Sequence, residues 1–292
     1  MSIPVYINLI DDGIRYFKNL VLTTGKKAKT EYNKTENELI FQEMLTNKQI
    51  KLINSLHSKK GRKENDLFLV EGEKSLLELV KSDFVIDFFV LHTAQNQLVD
   101  QLSQQTKAPI YRVEGDELQK LSTLVNNQIG FAVVQQKKFP TFQIKERYTI
   151  VLDGIRDPGN LGTIIRICDW YGFKQLVLSS DCTEFYNPKV IISTMGSFSR
   201  IEFTYVDLPA FFQQHSDIKK IGAVLHGENI HQYQFPEKGF IILGNESNGI
   251  REEIMELLDE RITIPAFGEA ESLNVGISTA VIADNLKRFI LS

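Results

Sequence analysis

The sequence predicts an α/β protein, with a parallel-sheet domain in its C-terminal half preceded by a smaller α/β domain. Three observations carry that expectation. Short apolar, strand-like runs alternate with helix-like runs from residue 45 onward. In the second half, runs such as IILG are apolar at every position, as strands covered on both faces of a parallel sheet are. The chain has 292 residues, 42% apolar and 24% charged, which suffices for about two domains, each with a core of its own. The same composition excludes the disordered and disulfide-stapled classes.

The elements follow in order. Residues 1–44 read as an extension expected to be poorly ordered: residues 23–38, TTGKKAKTEYNKTENE, have the composition of a linker, and residues 5–21 form at most a short amphipathic piece. Residues 45–140 alternate LTNKQIKLINSLH, DLFLVEG, EKSLLELV, DFFVLHT, LVDQLSQQT, PIYRV, DELQKLSTL and GFAVVQQ, the pattern of a small α/β domain. Pro140 and the polar QIKER mark a boundary. The second domain, residues 146–292, begins with YTIVLDG and a helix over about 161–171 that Gly172 stops. QLVLSS, a helix near 188–195, FTYVD, KIGAVLHG, GFIILGN, REEIMELL and RITIPAF follow, then a closing helix from about Ser272. Leu273, Val275, Ile277, Ala280, Val281, Ile282, Leu286 and Phe289 spread around nearly the whole circumference of that last helix. A helix of this kind is covered on two sides, and here it predicts a homodimer through the second domain.

Charge and cysteine usage narrow the function classes. Lys plus Arg number 33 against 37 Asp plus Glu, a net charge of -4, so the chain as a whole is no polycation. Residues 44–63, MLTNKQIKLINSLHSKKGRK, nevertheless hold Lys48, Lys51, Lys59, Lys60, Arg62 and Lys63 and no acidic residue. A local excess of this kind suits phosphate, because each neutralised phosphate releases counterions; the plain alternative is a solvated helix face. Cys168 and Cys182 lack ligand spacing and read as reduced thiols, with no metal implied. No apolar run nears the ~18 residues of a membrane span, and the start lacks a basic leader. A cytoplasmic protein with no membrane partner is the expectation.

In an α/β sheet, chemistry is sought in the loops after the strands. The first such loop, LDGIRDPGNLGTIIR (residues 152–166), has glycines at 154, 159 and 162. That spacing is neither the dinucleotide fingerprint nor a P-loop, since Asn160-Leu161 stands where a P-loop has Lys-Ser/Thr. Asn160 is also suited to cap the helix that follows. On that helix Leu161, Ile164, Ile165 and Cys168 share one face, and Arg166 lies almost opposite. Trp170, the only tryptophan, stands one turn beyond Arg166 and suggests a partner surface or a site. The second loop, ILGNESNGI (residues 242–250), ends a buried strand in Gly244, where a ligand can approach the backbone, and Glu246, a carboxylate that needs a partner or solvent. The third, ITIPAFGEAESLNVGISTAVIADNL (residues 262–286), places Ser272 where it can cap the last helix.

Taken together, DPGNLGTIIR, LGNESNG and IP…SLNV resemble, in order and spacing, the three motifs of the SpoU/TrmH family of RNA 2'-O-ribose methyltransferases in the SPOUT superfamily. YNPKVIISTMGSFSRI (residues 186–201) is similar to the family's linking segment, and residues 46–138, with FLVEGEKSLLEL, to its substrate-binding domain. The resemblance implies a deep trefoil knot, S-adenosylmethionine as cofactor, an obligate dimer, and an RNA substrate that is either rRNA or tRNA, with rRNA favoured. Carried across residue by residue, it places Leu225, Gly244, Asn245, Ile264, Pro265, Ala266 and Leu273 at the cofactor and Asn160, Arg166, Glu246, Ser272 and Asn274 at the polar active-site positions. Ala266 and Gly276 stand where relatives commonly carry Met and Ser, and Ile192 where they often carry Arg.

Methyl transfer from a sulfonium requires the acceptor oxygen in line with the methyl group, so positioning dominates. A guanidinium is a poor general base. Arg166 is therefore expected to hold the adjacent phosphate and stabilise the developing alkoxide, with water or another group taking the proton. Two further readings compete: a catalytically silent RNA-binding protein acting in ribosome assembly, and a small-molecule α/β enzyme unrelated to RNA. Retention of all five polar positions counts against the first, and the basic segment against the second.

Overall fold

The computed structural model describes residues 44–139 and 142–291, together with the backbone of two N-terminal strands, β1 (Pro4–Asp11) and β2 (Ile14–Val21), which pair antiparallel. The rest of the expected poorly ordered extension lies outside the described residues.

The first domain comprises α1 (Asn47–Leu56), α2 (Lys59–Asn65), β3 (Leu67–Glu71), α3 (Glu73–Leu79), β4 (Ile86–His92), α4 (Asn96–Ser103), β5 (Ile110–Val113), α5 (Gly115–Leu121) and β6 (Gly130–Gln135). Its four strands run in the order β3-β6-β4-β5, with β6 antiparallel to both neighbours and β5 parallel to β4. Thr46 starts α1 with a capping box, its hydroxyl accepting from the Gln49 N–H while the Gln49 side chain accepts from Thr46. Ile53 and Leu56 of α1 and Leu118 and Leu121 of α5 cover one face of the sheet.

The second domain comprises β7 (Tyr148–Leu152), α6 (Pro158–Trp170), β8 (Gln175–Ser179), α7 (Pro188–Ser193), a 3-10 turn (Ser197–Arg200), β9 (Glu202–Val206), α8 (Leu208–Gln214), β10 (Lys219–Asn229), β11 (Gly239–Leu243), α9 (Glu252–Met255), β12 (Glu260–Thr263) and α10 (Val275–Leu291). Its six strands are all parallel, in the order β12-β10-β11-β7-β8-β9. Side chains alternate across the sheet as the pleat requires. Ile150, Leu152, Leu176, Leu178, Ile241 and Leu243 pack toward α6, α7 and α10, whereas Val151, Val177, Phe240 and Ile242 pack under α8 and α9. Both faces are covered, which is why these strands read as unbroken apolar runs. The chain moves from β7 outward through β8 and β9, then returns to lay β10, β11 and β12 on the other side of β7. The strand order therefore reverses beside β7, and the crevice at the carboxyl ends of β7 and β11 is where such a sheet holds a ligand.

The two domains do not keep separate cores, as their lengths suggested they would. The second face of the first sheet, with Phe68, Phe84 and Leu76, joins the core of the parallel-sheet domain. Phe68 lies 4.3 Å from Tyr186 and 5.9 Å from Phe198, ring centre to ring centre. Gly196 fits because a Cβ there would come within 2.8 Å of the Glu78 side chain. Polar groups seal the same junction: Arg200 pairs with Glu78 at 2.7 Å and with Asp169 at 2.8 Å.

Arg62 departs most clearly from its expected role. It is 2% exposed. Its guanidinium pairs with Glu184 of the second domain at 2.5 Å and donates to the carbonyls of Leu56 and His57, so it faces inward rather than toward RNA. Lys48, Lys51, Lys59, Lys60 and Lys63 remain exposed. Cys168 and Cys182 are free and buried, and burial pushes the Cys168 thiol up to about 12, as suits an unreactive core residue.

Removing one partner of a buried pair strands the other charge. Glu184→Ala is expected to lower the unfolding free energy by about 3 kcal/mol, and Arg62→Met in the Glu184→Ala background to recover part of that loss; chemical denaturation of the single and double variants measures both.

Candidate functional site

Three turns meet at the carboxyl ends of the central strands. The first two are clamped by Asp153, which follows β7 and is fully buried. Its carboxylate accepts from the Arg251 backbone N–H at 2.8 Å and Nε at 2.7 Å, and pairs with the Arg251 guanidinium at 2.6 Å. Its own N–H donates to the carbonyl of Leu243 at 2.9 Å. A charge with no solvent access is tolerated only when paired and fully hydrogen-bonded, and here it joins the turn after β7 to the far end of the turn after β11. Asn245 makes a second tie, Nδ2 donating to the carbonyl of Gly154 at 2.7 Å. Gly154, at φ +70°, donates its N–H to Ser179 Oγ at 2.8 Å. That hydroxyl in turn donates to Asp181 at 2.7 Å. Burial raises the Asp181 carboxyl, but the bond from Ser179 and the charges of Arg251 and Arg156 outweigh it and hold it below the ordinary range.

The polar residues gather on this frame. Asn160 Nδ2 donates to Glu246 Oε1 at 2.7 Å, and Asn160 Oδ1 accepts from Asn274 Nδ2 at 2.9 Å. Asn274 Oδ1 accepts from the Gly276 N–H at 2.9 Å, at the start of α10. An ionised carboxylate only accepts and a helix N-terminal N–H only donates, so the direction of every bond in this chain is fixed by its two ends. Glu246 thereby has the partner that its position demanded.

Several expectations change at this point. Asp157, not Asn160, caps α6, accepting from the Asn160 N–H at 2.8 Å. The Asn160 side chain is thus released to bridge two loops. Asn274, not Ser272, caps α10, which therefore begins at Val275; Ser272 is exposed. The chain's own turn also requires glycine at Gly244, because a Cβ there would lie 2.1 Å from the backbone of Gly249 and Ile250. Asn245 and Gly249 close that turn with a pair of 2.9 Å backbone bonds.

The third turn joins through β10. The β10–β12 pairing skips between Ala223 and Glu228, so residues 224–227 bulge out of the ladder. Leu225 in that bulge is 67% exposed, and its carbonyl accepts from Thr263 Oγ1 at 3.1 Å, next to Ile264. Ile264 is partly buried against the core; Leu273 is exposed just before Asn274. Arg166 is exposed and makes no hydrogen bond or ion pair among the described residues. At 100° per residue, Thr163, Arg166 and Trp170 share one face of α6, with Arg166 about 9 Å along the axis from Asn160 and about 120° round from it. Trp170 on that stripe is 83% exposed. Among the described residues there is no group of His, Cys, Asp and Glu arranged to hold a metal, and no helix long and apolar enough to cross a membrane.

Asp153 and Arg251 were not among the residues singled out in the sequence. Asp153 carried one signal, an acidic residue directly after a five-residue apolar strand; Arg251 carried none.

A fully parallel sheet whose strand order reverses beside β7, with three loops tied by one polar chain at the carboxyl ends of its strands, defines an α/β domain with a candidate ligand site between those loops. Comparison with known proteins identifies the class. The profile of the SpoU rRNA methylase family matches residues 147–284, and that of an MRM3-like substrate binding domain matches residues 47–132. A solved TrmH-family structure from Porphyromonas gingivalis is 31% identical, with a TM-score of 0.75, covering 84% of this chain and 99% of that one. The chain belongs to the SpoU/TrmH family. It is also 28% identical to the 23S rRNA (guanosine(2553)-2'-O)-methyltransferase RlmP of Bacillus subtilis, over 84% of this chain and 98% of that protein. The AdoMet-bound rRNA methyltransferase of Sinorhizobium meliloti is 25% identical with a TM-score of 0.73, over 85% of this chain and 97% of that one.

Asn160→Asp sets a second carboxylate against Glu246. Turnover is expected to fall about 100-fold, since small misplacements cost that much where positioning dominates, and Glu246→Gln added to it should restore part of the rate. Steady-state kinetics of the single and double variants provide the check.

Proposed function

We infer that the chain transfers a methyl group from S-adenosylmethionine to a ribose 2'-hydroxyl of rRNA. The observation that carries this is the meeting of three turns on the Glu246–Asn160–Asn274 chain at the strand-order reversal, in a member of this family. Transfer of tritium from labelled S-adenosylmethionine into rRNA, with the modified nucleotide mapped, tests it directly.

The residues around the cluster fit the cofactor. Exposed Leu225 and Leu273, with Ile264, Pro265 and Ala266 between them in the chain path, supply apolar surface for a purine. The backbones of Gly244, Asn245 and Ile264 supply main-chain partners for its edges. S-adenosylmethionine, when bound there, supplies an electrophilic methyl group. The protein's part is then geometric. Asn160, Glu246 and Asn274 hold the turns, and exposed Ser272 adjoins them. Arg166, free of partners among the described residues, grips the phosphate beside the target ribose and stabilises the oxygen as its proton leaves to water or another group.

The knot expected from the family belongs to the same reading. The edge strand β12 lies beyond β10, yet α10 packs on α6, which follows β7. Residues 264–274 must therefore cross the ends of β10 and β11, the path that a trefoil crossing requires. A homodimer through this domain is supported by α10, which buries Val275, Thr279, Ile282 and Leu286 but leaves Ile277 54% exposed. In such a dimer the stripe bearing Arg166 and Trp170 lies beside the interface. A cytoplasmic location is part of the same proposal.

Arg166→Ala is expected to abolish transfer while the calorimetric affinity for S-adenosylmethionine stays near that of the parent; loss of cofactor binding would remove Arg166 from the reaction. Ile277→Lys places a charge in the proposed interface, and sedimentation should show it shifting from dimer toward monomer, whereas a parent protein that sediments as a monomer would end the dimer reading.

A further inference from the structure

The first domain contains a cleft of about 350 Å³ at the carboxyl ends of β4 and β5, within the size range of ligand sites. One wall is the loop 122–129, and buried polar groups fix that loop in place. Glu71, 2% exposed on β3, accepts from Ser122 Oγ at 2.9 Å, the Thr123 N–H at 2.9 Å and Thr123 Oγ1 at 2.6 Å. Buried Asn127 accepts from the N–H groups of Ile129 and Gly130 and donates to Ser122 Oγ and the Gly130 carbonyl. Gln95 donates to the Gln128 carbonyl across the cleft at 2.9 Å. Such a fully satisfied polar network fixes a single conformation.

What this frame presents has no partner among the described residues. Val125 at the tip is 96% exposed, and the side-chain amides of Asn126 and Gln128 make no hydrogen bond. His92 accepts the Ala94 N–H on Nδ1 at 2.9 Å, so in the neutral ring Nε2 carries the hydrogen as a donor, beside Gly115. Asp116 adds a carboxylate. Directional amide, imidazole and carboxylate groups around a small cleft, with no Lys or Arg in its lining, suit the edge of a base rather than a phosphate. The lysines lie next door. His57, at the end of α1 and two residues before Lys59, bonds to the Leu121 carbonyl at the start of the same loop at 3.0 Å.

We propose that this cleft receives an unpaired nucleobase of the RNA, read by Asn126 and Gln128 while the neighbouring lysines hold the backbone. The proposal rests on the RNA reading above and assigns sequence discrimination to the first domain. The test uses the full-length protein and a protein-free 23S rRNA transcript, with affinity measured by filter binding across a salt series. Asn126→Ala/Gln128→Ala is expected to weaken binding about tenfold without changing the salt slope, whereas Lys59→Ala should reduce the slope by about one. Ultraviolet crosslinking with mass spectrometry should place a nucleotide on residues 125–128. The double variant should melt with the parent, because neither side chain bonds within the fold. Affinity within about twofold of the parent overturns the proposal, as does a slope reduced like that of Lys59→Ala. Absence of tritium transfer by the parent protein would count against the enzymatic reading alone, since the affinity comparison still decides the cleft.

Discussion

The site depends on one arrangement, the run of hydrogen bonds from the Glu246 carboxylate through Asn160 and Asn274 to the first N–H groups of α10. Each amide has a donor side and an acceptor side, and with an obligate acceptor at one end and an obligate donor at the other neither can flip without losing two bonds. A single orientation is thus imposed on three loops that are 86 and 114 residues apart in sequence from Asn160. The pair of buried Asp153 with Arg251 stands behind it and keeps the turns after β7 and β11 from separating. Rigidity of this sort is what in-line transfer to a hydroxyl demands, because the gain comes from alignment rather than from a strong base.

The same logic extends to the junction between domains. A recognition domain that moved freely would lose the alignment won at the active site. Here the aromatic contacts of Phe68 with Tyr186 and Phe198, the Arg62–Glu184 pair and the Arg200 bridge from Asp169 to Glu78 merge the two units. Glu184 and Asp169 lie in the domain that carries the three tied loops, Asp169 on α6 itself, three residues beyond Arg166. Any ligand held by the first domain is thereby kept at a set distance from the loops of the second.

The fold was legible in the sequence because its signals are local. Strands covered on both faces must be apolar throughout, and IILG or YTIVL announces that directly. The polar site was legible as a set of residue types, since loops after parallel strands are where ligands bind. What the sequence did not disclose was which of several chemically equivalent neighbours takes which part. Asp157 and Asn160 can both cap α6, and Ser272 and Asn274 can both cap α10; tertiary partners decide, and Asn160 and Asn274 are drawn to each other and to Glu246. Arg62 looked like its lysine neighbours because charge is visible in sequence and burial is not. Its partner, Glu184, lies 122 residues away.

A net charge of -4 is a constraint rather than an obstacle for an RNA-modifying protein. A uniformly basic surface binds any polyanion and gains affinity at the expense of choice. On the reading proposed above, the exposed lysines of residues 48–63 supply the long-range attraction. That attraction is too weak by itself to hold RNA in an arbitrary register, so short-range, directional contacts must supply the rest. In the first domain the proposal places those contacts at the pinned loop 122–129; in the second it places them at Arg166 and the Asn160 cluster. Removing Arg62 from the basic stretch strengthens this view, because the guanidinium best suited to bidentate phosphate binding faces into the domain junction instead.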